Sequence, residues 1–131
     1  MLAMTDREVF FDLIGRRWAM IESYDFGRIV IDGKTYTADV IIYPDRVDGS
    51  WWRKEGHRLD PADLIEVVQE KPEALVVGTG YYGAMRVPPE TREHLESQGV
   101  QVIVQRTTEA WQTYNRLCRD KKTIAALHLT C

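Results

Sequence analysis

From Ala74 onward the chain alternates short apolar runs with longer amphipathic stretches. Ala74–Val77 is an unbroken apolar run, the pattern of a strand covered on both faces. Pro88-Pro89 and Gly99 supply the start and stop signals of a helix between them. Val100, Val102 and Val104 then alternate with Gln101, Ile103 and Gln105, which predicts a second strand. Thr107 or Thr108 is placed to cap a helix whose apolar stripe is Ala110, Trp111, Tyr114, Leu117 and Cys118. Thr123–Leu129 reads as the last strand. Each strand-to-strand connection contains a helix, so parallel pairing with right-handed crossovers is expected, with Val77 and Val102 on adjacent strands.

The first half has a different period. Phe26–Ile31 and Lys34–Tyr43 are strand-like and flank Asp32-Gly33, a two-residue turn in which both positions need positive φ. Pro44, Asp45, Asp48 and Gly49 mark a loop, and Trp51-Trp52-Arg53 reads as a short strand whose neighbouring tryptophans face opposite ways. Asp60 as N-cap, Pro61 at the first helical position and Asp63 predict a helix with Leu64, Ile65 and Val68 inward. Phe10, Leu13, Ile14 and Trp18 fall at helical spacing, so residues 1–20 read as an added helical arm.

A chain of 131 residues with 44% hydrophobic content is one domain with a real core. A net charge of -3 and a pI near 5.6 argue against nucleic acid or an acidic membrane as partner. No apolar stretch approaches a membrane span, Asp6, Arg7 and Glu8 interrupt any signal-like run, and a cytoplasmic location is expected. Cys118 and Cys131 have no metal-ligand or Cys-x-x-Cys spacing, so neither metal nor cofactor is expected.

Gly78-Thr79-Gly80-Tyr81-Tyr82-Gly83 matches the Gly-x-Gly-x-x-Gly pattern and follows a strand. A dinucleotide site needs the helix to start within the glycines and an acid at the end of the next strand. Here Pro88-Pro89 delays the helix, and the next strand ends in Gln105-Arg106. A glycine-permitted turn against neighbouring backbone, or a site for another small anion, remains. If the strands at 74–78 and 100–105 are neighbours, Thr79, Gly80, Tyr81, Arg106, Thr107 and Thr108 converge at one sheet edge, where helix N–H groups attract anions. Arg86 is within reach of that edge. His57, in a loop with Arg53 and Arg58, is the histidine to watch. His128 shares a strand face with Ile124 and Ala126 and reads as a hydrogen-bonded core histidine, and Asn115 as an amide that satisfies nearby backbone. No Ser-His-Asp, Cys-His or paired-carboxylate set specifies a reaction.

Trp51 and Arg53 with Gly56-His57, the Gly78-Thr79-Gly80 turn, Val87-Pro88, Thr107, Ala110, Tyr114-Asn115 and the ending Leu127-His128-Leu129-Thr130-Cys131 together resemble a family of small domains of unknown function. Its members include the adipogenesis-associated protein and a mitochondrial assembly factor for respiratory complex I. The resemblance runs from about Ile21 to Cys131 and leaves the first twenty residues outside. It implies a three-layer α/β fold with a mixed, mostly parallel central sheet and an added N-terminal hairpin layer. It implies no established enzyme activity, and its best-known members act through protein contacts. The expected function is a non-catalytic binding or assembly module with a protein partner and a small-anion crevice. The alternative is an enzyme or sensor for a small anionic metabolite at that crevice.

Overall fold

The computed structural model describes residues 10–11 and 17–131. Its centre is a five-stranded sheet of β6 (Val40–Ile42), β7 (Val47–Asp48), β8 (Ala74–Thr79), β9 (Gln101–Gln105) and β10 (Thr123–His128), in the order β7-β6-β10-β8-β9. β10 runs parallel to β8 and β8 parallel to β9, whereas β6 is antiparallel to β10. Leu75 pairs with Val102 and Val77 with Val104, so the expected parallel neighbours are found. Every residue of β8 and β10 is buried, which explains their unbroken apolar runs.

A separate antiparallel meander joins β3 (Ile21–Asp25), β4 (Arg28–Ile31) and β5 (Lys34–Tyr36). Asp32 and Gly33 have φ of 50° and 80°, the backbone an Asp-Gly hairpin turn requires. Phe26, which looked like strand, sits in the preceding turn beside Gly27 at φ 73°. Lys34–Tyr43 is not one strand. It breaks at residues 37–39 and changes sheets, because Lys34 and Thr35 are exposed while Val40, Ile41 and Ile42 are buried on both faces.

The meander and helix α3 (Thr107–Leu117) cover one face of the central sheet. Ile21, Ile29 and Ile31 meet Val76, Ala125, Leu127, Ala110 and Tyr114 there. Asn115 fastens this layer: its Oδ1 accepts from the Ile21 N–H at 3.0 Å and its Nδ2 donates to the Ile21 carbonyl at 2.7 Å. The other face carries α2 (Pro89–Ser97), the 3-10 turn Pro61–Leu64 and α1 (Ile65–Gln69), with Leu59, Leu64, Val67 and Leu95 packed on Leu75, Val77 and Ala126. Leu64 is buried and Val68 packs against the core as expected, but the tight 3-10 turn alters the helical phase, so Val67 is buried and Ile65 is 59% exposed.

Two further expectations change. Trp51-Trp52-Arg53 joins no ladder, although its alternation holds: Trp51 and Arg53 are buried and Trp52 is exposed. In the predicted N-terminal arm, β1 (Phe10–Phe11) and β2 (Arg17–Trp18) pair antiparallel instead of forming a helix. Their aromatic residues favour extended backbone. Leu13 and Ile14 lie outside the described residues.

Two glycines separate backbone strain from crowding. Gly80 (φ 109°) has the Cys131 carbonyl carbon 2.5 Å from where a Cβ would sit, whereas Gly99 (φ 82°) faces open space. Gly99→Ala is expected to lower stability by about 1 kcal/mol through φ alone. Gly80→Ala should lose more than about 2 kcal/mol, because strain and clash add. Urea midpoints of the two variants check the order; equal losses would mean that segment 129–131 yields freely.

Candidate functional site

The carboxyl ends of β8 and β10 lie side by side, with Thr79 paired to His128. Open α/β sheets receive ligands at this end of their strands. Two constructions meet there, a closed glycine loop and a buried ionic corner.

The glycine loop brings together the residues proposed for an anion crevice, and it does so by bonding them to one another. The Gly80 N–H donates to Thr107 Oγ1 at 2.8 Å, and that hydroxyl donates to the His128 carbonyl at 2.6 Å. The Thr107 N–H returns to the Gly80 carbonyl at 3.0 Å. Tyr81 N–H reaches the Thr130 carbonyl at 2.6 Å, and the N–H groups of Tyr82 and Ala84 reach the Cys131 carbonyl at 3.1 and 2.9 Å. Gly83 N–H turns back to Gly80, Met85 N–H to Thr79 and Arg86 N–H to His57. Arg106 places Nε and Nη2 on the Tyr81 carbonyl at 3.1 and 2.7 Å. Every N–H from Gly80 to Arg86 therefore has an oxygen partner within the chain. Thr107 is buried inside α3 and ties two strands, and Arg106, not a threonine, occupies the cap position. Thr108 is the helix's second residue and half-buried.

The ionic corner starts from Asp39, immediately before β6. The Leu127–Val40 pairing of the antiparallel ladder sets Asp39 across from His128. Asp39 Oδ1 accepts from the Leu129 N–H at 2.8 Å. Asp39 Oδ2 lies 2.8 Å from His128 Nδ1 and 2.9 Å from Arg53 Nη2. Arg53 also holds the Gly56 carbonyl through Nε (3.1 Å) and Nη2 (2.7 Å), and its guanidinium stands 4.6 Å over the Trp51 ring. The two Nη2 protons serve Gly56 and Asp39, which leaves none for His128 Nδ1 at 3.2 Å. His128 Nδ1 then carries the proton that bridges to Asp39, and in the neutral ring Nε2 carries the lone pair. His128 Nε2, Arg53 Nη1 and Trp51 Nε1 are buried without a hydrogen-bond partner among the described residues.

Burial pushes the Asp39 carboxyl up, but the hydrogen bonds from His128 and Leu129 and the His128 and Arg53 charges outweigh it and hold the group below its ordinary value. His57 is exposed and meets the His128 ring edge-on with centroids 5.5 Å apart. Its carbonyl accepts from the Arg86 N–H, which joins the end of the glycine loop to His57. Sequence reading missed Asp39 and did not assign Arg53 to a site. The one available signal was Asp39 in a break between two strands, but its partners come from positions 53 and 128 and no spacing shows that. His128 is hydrogen-bonded in the core as expected. Among the described residues no group of three or more His, Cys, Asp or Glu could hold a metal, and no helix is long and apolar enough to cross a membrane.

Residues 21–128 match the family of proteins of unknown function DUF498/DUF598. The chain belongs to that family. The match begins at β3 and ends at His128, so it spans the meander, the central sheet and the ionic corner. A conserved hypothetical protein of Pyrococcus horikoshii is 34% identical, with a TM-score of 0.73 over 85% of this chain and 98% of that one. A protein of Rhodopseudomonas palustris is 25% identical, with a TM-score of 0.68 over 98% of this chain and 92% of that one. A Bordetella pertussis protein at 22% identity shares the fold, with a TM-score of 0.60 over 85% of each chain. The DUF498/DUF598 fold is thus α/β, with a mixed, mostly parallel sheet and a separate antiparallel layer.

Asp39→Asn removes the counter-charge of buried Arg53 and is expected to destabilise the protein by about 3 kcal/mol near neutral pH. The carboxyl is held low in the folded state, so its contribution is complete above the unfolded value of about 3.9. It fades as pH falls through the lower folded value. Urea midpoints measured against pH should show the wild-type advantage over Asp39→Asn shrinking below about pH 4. A gap that stays constant to low pH would place the effect elsewhere.

Proposed function

We propose that this domain is a non-catalytic binding module that works by contact with another protein, through an aromatic corner beside the glycine loop. The observation that carries this reading is a cluster of four rings in mutual contact, two of them exposed. Phe26 stands 5.8 Å from Tyr81 and 6.1 Å from Tyr82, and Tyr81 stands 5.0 Å from Tyr82. Tyr24 extends the set, 6.3 Å from Tyr81. Phe26 is 48% and Tyr82 69% exposed.

The two carriers of these rings are fixed to one segment. Gly27 N–H and Tyr24 Oη donate to the Leu129 carbonyl at 2.8 and 2.7 Å, while the loop at 81–84 holds Thr130 and Cys131. Aromatic anchors that are already ordered lose little conformational freedom on binding, which is why such residues dominate protein interfaces. The family resemblance supports the same reading, since its best-known relatives, the adipogenesis-associated protein and the complex I assembly factor among them, work through protein contacts. A small anion at Thr79–Tyr81 and Arg106–Thr108, bound or turned over, has less support, because the loop N–H groups and the Arg106 fork already face oxygens of the chain.

A photo-crosslinking amino acid placed at Tyr82 in native cells is expected to give a discrete heterologous product. The same probe at exposed Glu93 on α2 should not, and Phe26→Ser should abolish the product. Identical patterns from both positions would overturn the reading. A product of twice the chain's mass would assign the corner to self-association instead.

A further inference from the structure

We propose that the corner made by Trp51, Arg53 and His128 at the carboxyl end of β10 binds a small molecule through a primary amide head. The proposal is independent of the aromatic surface. It starts from hydrogen-bond accounting: Trp51 Nε1, Arg53 Nη1 and His128 Nε2 belong to side chains more than nine-tenths buried, and none has a partner among the described residues. A buried polar group left in that state loses solvation with nothing in return, and each such group calls for an explanation. Two in one ion-paired cluster and a third on the ring beneath its guanidinium, at the sheet end where α/β folds hold ligands, point to one binding partner for all of them.

The chemistry of that partner follows from donors, acceptors and charge. Arg53 Nη1 has two protons to give and Trp51 Nε1 one. His128 Nε2, with Nδ1–H committed to Asp39, offers a lone pair in the neutral ring. The corner therefore presents donors beside a single acceptor. Asp39 already balances the charge of Arg53. A carboxylate or phosphate would add a buried negative charge without a counter-ion and would face the Nε2 lone pair. An alcohol offers one O–H and two lone pairs, but all from a single oxygen that would have to reach the three groups at once. A primary amide matches: its carbonyl takes protons from Arg53 and Trp51, and its NH₂ donates to Nε2. His57 is exposed and packs against the His128 ring with centroids 5.5 Å apart, so it is a solvent-facing side chain beside this corner.

The test uses the unmodified chain, because Arg53 and His128 variants risk unfolding. Acetamide, acetate and ethanol are titrated separately, and the ring nitrogens of His128, the Nη groups of Arg53 and the indole N–H of Trp51 are followed by ¹H–¹⁵N NMR. The free protein should show His128 as the Nδ1–H tautomer. Acetamide should move Nε2, Arg53 Nη1 and the Trp51 indole together in a saturable way, leave the indole of exposed Trp52 unmoved, and outbind acetate and ethanol by tenfold or more, on the order of 1.4 kcal/mol. Saturation by acetate with protonation of His128 would overturn the amide assignment in favour of an anion site. No response to any probe, together with a water contact to the His128 ring, would overturn the site altogether and leave a hydrated structural corner.

Discussion

The carboxylate of Asp39 is the contact on which this end of the fold depends. The residue stands where the chain leaves the antiparallel meander and enters the central sheet, so its position is set by a change of layer. From there one oxygen holds the backbone just past β10, and the other holds a histidine of β10 and an arginine of the loop over the opposite face. Two layers and the sheet end are thereby registered by one charge. Desolvating a carboxylate is costly, and only this number of donors makes its burial favourable. That accounting also explains why Arg53 can be buried in a loop that makes no ladder.

The alternation of apolar and polar positions exposed most of the second half of the fold. Ala74–Val77, the proline-opened helix and the valine alternation of β9 are each a local pattern with a local cause, and short crossovers then leave little choice of topology. The first half was less legible because its decisive events are not local. Lys34–Tyr43 has a continuous strand pattern, and only the burial of Val40–Ile42 against β10 and β7 shows that it divides. Ile65 looks inward by period and faces out because a 3-10 turn precedes it. The ionic corner joins positions 39, 53 and 128, and no window along the chain contains all of them.

The glycine loop shows how a motif can be right in geometry and different in role. Its close approaches and positive φ values are those a phosphate-binding turn uses. Here carbonyls of Thr130 and Cys131 occupy the place of an anion's oxygens. The distinction rests on where each N–H points, which is a property of the folded chain and not of the spacing of glycines.

Thr107 links these parts through a single hydroxyl that accepts from Gly80 and donates to His128. A side chain of α3 is thus a rung between two parallel strands. The helix cannot fray from its first turn without leaving a donor at the end of β8 and an acceptor at the end of β10 unpaired in the dry interior. The start of α3 and the ends of both strands therefore open together or not at all, so their amides should share one exchange rate with solvent, and the sheet end stays shaped even while the exposed turns around it move.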